Sequence, residues 1–112
     1  MTEAQTALAR RVVACKGWES MGGMLHADGA WRARVGDGWN WRAGAEVLPV
    51  LDDPATLGCL LALVREAWGD PYLCCVGFRV TGWRLDGYAP VEDLHSYRSE
   101  AEALVAALES AP

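Results

Sequence analysis

Apolar residues recur at helical spacing near both ends and in the middle of the chain, and at alternate positions in the stretches between. Thr2 stands before the first helical pattern as an N-cap and Gly17 after it as a stop, which predicts a helix from Glu3 to Lys16. Ala4, Ala7, Leu8, Val12 and Cys15 fall on its apolar face, with Arg10 and Lys16 outward. From Gly22 to Gly44 the period changes to two. Met24–His26, Ala30–Val35 and Trp39–Trp41 read as short strands of a meander, with Asp28-Gly29 and Asp37-Gly38 at the turns. Asp-Gly favours such turns because a type I′ hairpin needs positive φ at both central residues. Trp31, Ala33 and Val35 share one face of the middle strand and Arg32 and Arg34 the other, while Trp39 and Trp41 oppose Asn40 and Arg42. That alternation fits a sheet with one packed and one wet face.

Ala45 to Asp52 reads as a connector, because Pro49 argues against a central strand. Asp52 or Asp53 then caps a second helix with Pro54 in its first turn. Leu57, Leu60, Leu61, Val64 and Trp68 form its core stripe, Gly58 is expected to allow close approach to the sheet, and Gly69-Asp70-Pro71 stops it. Tyr72 to Val80 reads as a central strand, a turn near Thr81-Gly82 leads to Trp83–Leu85, and Asp86-Gly87 makes another turn. Ala89 to Tyr97 is irregular. Ser99 forms a capping box with Glu102 at the head of a last helix whose apolar face is Ala101, Leu104, Val105 and Leu108. The expected fold is α+β: a mostly antiparallel sheet of about five short strands with three helices packed on it, in the order α-β-β-β-α-β-β-α.

The composition fits one domain over residues 1–112, since 52% hydrophobic and 22% charged residues supply one core and exclude a disordered chain. The longest charge-free run, Pro54 to Val64, is too short for the roughly 20 residues of a membrane span. The N-terminus lacks the basic start and apolar run of a secretory signal, so a cytoplasmic location is expected. A reducing cytosol makes Cys15, Cys59, Cys74 and Cys75 small core thiols rather than a disulfide framework. Cys74 and Cys75 would point to opposite faces of one strand and pair poorly. The net charge of -5 disfavours direct nucleic-acid binding. Charge is uneven, with the first half mildly basic and the second acidic.

Catalytic and metal motifs are missing. There is no C-x-x-C or H-x-x-x-H spacing, so neither a metal nor a cofactor is expected. Ser99 is explained as a cap, Gly36-Asp37-Gly38 as a hairpin turn, and Asp52-Asp53 and Glu92-Asp93 as capping or solubilising pairs. Cys15 with His26 or His95 could form a reactive pair only if the fold brings them together. What remains is six tryptophans, some alternating with arginine, and both residue types are enriched at binding hot spots. The candidate binding residues are Trp31, Arg32, Arg34, Trp39, Trp41 and Arg42 on the sheet, and Glu100 and Glu102 on the acidic last helix.

Across most of its length the chain resembles small bacteriophage and prophage proteins, and more loosely the phage ABA sandwich domain family. The resemblance is carried by the helix Leu8–Trp18, the Trp-bearing strands, the segment Leu51–Ala67 and the helix Ser99–Glu109. It implies a phage origin and helices on a sheet. Joined to the missing active site, it leads to the expectation of a non-enzymatic protein-binding module that occupies a host protein, such as an anti-CRISPR-like inhibitor of host defence. Two other readings stay open: a virion structural or assembly protein, and a small enzyme or metal-dependent factor built around Cys15, Cys59 and His26. An uncovered edge strand could pair two copies as a homodimer under any of them.

Overall fold

A computed structural model of the chain describes residues 2–26, 48–78, 82–86 and 97–112. Their order is α1 (Glu3–Val13), α2 (Pro54–Trp68), β1 (Cys74–Phe78), β2 (Gly82–Asp86) and α3 (Glu100–Ser110). The class is α+β, with three helices and a two-stranded antiparallel sheet among the described residues, so of the about five strands expected two are seen paired as strands there. Of the expected meander only Met24–His26 is described, and it makes a single bridge, His26 to Pro49, backed by Val50 N–H donating to the Leu25 carbonyl at 2.9 Å. The strands expected at Ala30–Val35 and Trp39–Trp41 lie outside the described residues.

Each helix starts where a short polar side chain satisfies its first amides. The Thr2 hydroxyl accepts from Gln5 N–H at 3.1 Å, and the Gln5 side chain accepts from Thr2 N–H at 2.9 Å, a capping box built with glutamine. Asp53 caps α2 by accepting from Thr56 N–H at 2.9 Å, with Pro54 in the first turn. Ser99 caps α3 by accepting from Glu102 N–H at 3.1 Å. Glu102 reaches back to Arg98 N–H at 3.0 Å, one residue earlier than a regular capping box requires.

The ends depart further from expectation. α1 stops at Val13 rather than Lys16, because the chain tightens into three-residue turns: Cys15 N–H meets the Val12 carbonyl at 3.0 Å and Trp18 N–H the Cys15 carbonyl at 3.1 Å. α2 ends as the sequence predicts. Gly69 adopts φ 63°, and the bonds Asp70 N–H to Arg65 and Gly69 N–H to Glu66 complete a Schellman closure.

α3 is the central element, packed against α1, α2 and both strands. Ala101, Ala103, Leu104, Val105, Ala107 and Leu108 are all buried, so it hides far more than one narrow stripe. α1 buries Ala9 and Val12 against this core, while Ala4 and Ala7 are exposed and Leu8 and Cys15 half-buried. The expected face was therefore rotated. Alanine hides only one methyl group, so Ala4, Ala7 and Ala9 do little to fix which side turns inward. On α2 the buried set is Thr56, Leu60, Leu63 and Val64, with Leu57, Leu61 and Trp68 half-buried.

Two glycines exchange their expected parts. Gly58 is exposed and a Cβ there would meet nothing within 4 Å, so it mediates no close approach to the sheet. Gly17, expected to end α1, instead lies under α3, where a Cβ would come within 3.0 Å of Leu108 Cδ1.

The strand expected from Tyr72 begins only at Cys74. Asp70 folds the approach into a turn, accepting from Tyr72 N–H through its carboxylate at 3.0 Å, and Tyr72 is 71% exposed. Arg65 Nε fixes the turn by donating to the Leu73 carbonyl at 2.7 Å. In the sheet, Cys75 faces Leu85 and Gly77 faces Trp83. Tyr97, expected in an irregular stretch, bridges the other edge of β2 through two 2.8 Å bonds with the Trp83 backbone.

Candidate binding cleft

The helix caps bring three chain segments to one place. Gln5 and Leu8 come from α1, Leu51, Asp52 and Leu57 from the entry and first turn of α2, and Ser99, Glu100 and Ala101 from the start of α3. With Trp83 of β2 they line a cleft of about 430 Å³, within the range of small-ligand and side-chain pockets. Leu8, Leu51, Leu57 and Trp83 give it an apolar wall, and Asp52 and Glu100 give it two carboxylates.

Trp83 is the best-anchored of these groups. The indole lies over Gly77, its ring atoms 3.0 to 3.1 Å from where a Cβ would stand, so any larger residue at position 77 would displace it. Its backbone is clamped on the opposite edge by Tyr97. A tryptophan covering a strand glycine also restores packing that glycine alone cannot supply.

The charges around the cleft are one-sided. Each helix start carries roughly half a positive charge from its aligned peptide dipoles. Glu3, Asp52, Asp53, Glu100 and Glu102 all stand at or beside those starts, with Arg98 the one cation there among the described residues. Among the described residues that line the cleft there is no Lys, Arg or His. Of the described lining residues, only Asp52 and Glu100 carry a charge, and both are acidic. Gln5 Nε2 lies 3.4 Å from Asp52 Oδ2, a long contact that leaves most of this carboxylate's hydrogen-bonding capacity to spare.

The sequence-predicted residues divide sharply. Trp31, Arg32, Arg34, Trp39, Trp41 and Arg42 lie outside the described residues. Glu100 lines the cleft, whereas Glu102 is turned toward the Arg98 backbone. Trp83, Asp52, Leu8 and Leu57 were missed as site residues. The available signal was a tryptophan and a glycine placed to face each other across a hairpin; Asp52 was hidden by its neighbour Asp53, which accounted for the capping.

The four thiols are free and half-buried, not fully in the core as expected. Burial pushes the Cys15 and Cys59 thiols up from their ordinary value, and pushes Cys75 up to about 12, with Glu100 adding to the Cys75 shift. Cys15 donates to the Arg11 carbonyl at 3.4 Å and Cys59 to that of Gly22 at 3.7 Å. Such environments hold sulfur as thiol and withhold the nucleophilic thiolate. His26 is buried, with Nε2 3.3 Å from the Ser20 hydroxyl. Among the described residues no three His, Cys, Asp or Glu side chains are grouped to hold a metal ion. A second, smaller cavity of about 240 Å³ lies beside Cys15, Gly17, Ala67 and Leu108. No helix among the described residues is long and apolar enough to cross a membrane.

No protein-family model, curated protein or solved structure matches the chain.

Proposed function

We propose that the protein is a non-enzymatic binding module of phage type that works in the cytoplasm of a bacterial host by occupying a host protein, as an inhibitor of host defence would. The observation that carries the binding reading is the cleft at the helix starts, where an anchored indole and three leucines stand beside two carboxylates. Aromatic and apolar groups ringed by polar ones are the usual makeup of an interface hot spot. The protonated thiols add support, because they supply no ready nucleophile.

The experiment is affinity capture from host lysate with wild type, with Leu57→Arg, which drives a charge into the cleft, and with a triple Arg32→Ala, Arg34→Ala, Arg42→Ala variant. A specific host protein retained by wild type and lost with Leu57→Arg is expected, provided circular dichroism shows that the variant folds. Capture lost only with the triple arginine variant would move the binding surface to the sheet. No partner above background would overturn the reading.

A further inference from the structure

We propose that the cleft takes an arginine side chain presented by the partner protein, its aliphatic stem against Leu8 and Leu57 and its guanidinium between Trp83 and the carboxylates of Asp52 and Glu100. This rests on the reading of the cleft as the protein-binding surface and names what fills it.

Three features converge on that occupant. The lining is apolar along one side, which suits a long methylene stem. Trp83 is held rigid by Gly77 beneath it and by the Tyr97 bridge beside it, so its ring costs little to order when a cation approaches. Indole is the best aromatic partner for a cation, and arginine uses it more often than lysine. Asp52 and Glu100 supply negative charge, and no described residue of the lining is a cation. A guanidinium is planar, weakly hydrated and able to bond two carboxylates at once, whereas an ammonium is a compact, strongly hydrated point charge. The aligned helix starts do not turn the site toward anions, because five carboxylates stand around three half-charges.

The test titrates the full-length, nitrogen-15-labelled protein with a short acetylated peptide holding one arginine between leucines. A counterpart with citrulline keeps the shape and removes the charge, and a third peptide carries lysine. The Trp83 indole N–H resonance reports occupancy of the cleft. Saturable shifts there are expected, with the arginine peptide binding about tenfold more tightly than the citrulline peptide and more tightly than the lysine peptide. A double Asp52→Asn, Glu100→Gln variant should reduce the tenfold preference to about twofold with only a small fall in the thermal midpoint, since Asp52 is exposed and Glu100 half-exposed and loses only its favourable charge at the α3 start.

Equal binding of the arginine and citrulline peptides at Trp83 overturns the arginine assignment and leaves an apolar docking cleft standing. Lysine binding as tightly as arginine overturns it too. If no peptide shifts Trp83 at millimolar concentration, the assignment is again overturned. The Leu57→Arg capture experiment then decides the binding reading independently.

Discussion

The two ends of the helical layer are built on opposite principles. All three described helices start at one end, where Gln5 meets Asp52 and the α3 cap stands beside Leu57 and Leu8. All three finish at the other, where Trp68 Nε1 donates to the Ala107 carbonyl at 2.8 Å, Gly17 lies against Leu108 and Arg11 pairs with Glu109. The starting end is polar, acidic and open into a cleft. The finishing end is joined by packing and by a half-buried indole bond to a carbonyl that its own helix leaves unpaired, around the smaller cavity beside Cys15 and Gly17. Helices aligned this way add their dipoles, and the charges answer only in part: Glu3, Asp53, Glu100 and Glu102 stand at the starts and Arg10, Arg11 and Arg65 in the last turns, while Glu66 and Glu109 stand at the ends against the dipole. The lesson is that the same three helices end in two ways, around an acidic cleft at their starts and in direct contacts between neighbours at their finishes.

The largest expected effect breaks the hydrogen-bond relay at the starting end. The buried Thr56 hydroxyl accepts from Leu25 N–H at 2.9 Å and donates to Asp53 at 2.9 Å, tying segment 24–26 to the head of α2. Thr56→Val keeps the shape, removes both bonds and leaves the Leu25 amide without this acceptor. A loss of about 2 kcal/mol is expected from urea unfolding. Asp53→Ala, which removes the cap and the acceptor of the Thr56 hydroxyl but keeps the Leu25 bond, should cost about 1 kcal/mol. If Thr56→Val unfolds at the wild-type urea midpoint, the relay contributes nothing and the starting end is held by packing alone.

How much of this was legible depended on range. The caps at Thr2, Asp53 and Ser99 and the stop at Gly69 were readable because each is satisfied within a few residues of itself. The parts played by Gly17 and Gly58 were not, since each depends on what a distant segment brings near it, and Leu108 comes to one but nothing to the other. The α+β class could be read from the change of period. The extent of strand Tyr72–Val80 was overestimated, because the Asp70 turn outcompetes the alternating pattern at its start. Glu100 was legible as an acid on a helix start. Its meeting with Trp83 and Asp52 was not, because no local rule says that the three helices begin at the same end.

A second effect sharpens the comparison through pH. Burial raises Cys75, beside the cleft, to about 12 from an ordinary 9.0, while Cys15, at the finishing end, is raised with Arg11 opposing the change. Folding keeps Cys75 protonated where the unfolded chain has already released the proton. Its contribution is whole below about pH 9 and is lost as pH rises toward about 12. Urea midpoints should therefore fall more steeply between pH 8 and pH 11 for wild type than for Cys75→Ala. Cys15→Ala should change that slope less. Parallel slopes for wild type and Cys75→Ala would mean that the thiol beside the cleft is as well solvated as in the unfolded chain.

The smallest effect tests whether charge holds the finishing end at all. Arg11 and Glu109 join α1 to α3 through two side-chain hydrogen bonds, yet their side chains are 53% and 37% exposed. A pair this wet contributes no more than about 0.5 kcal/mol. Glu109 also stands in the last turn of α3, where the helix dipole disfavours a negative charge by a similar amount. The two effects oppose, so Glu109→Gln alone should leave stability within about 0.5 kcal/mol of wild type. A double-mutant cycle with Arg11→Met separates them, because it isolates the pairwise coupling from the dipole. The expected coupling is about 0.5 kcal/mol at low salt and vanishes in 1 M NaCl, where the screening length is only about 3 Å. Coupling above about 1.5 kcal/mol that survives high salt would reverse the comparison. The finishing end would then be held by its ion pair, and the packing of Gly17 and Trp68 would be secondary.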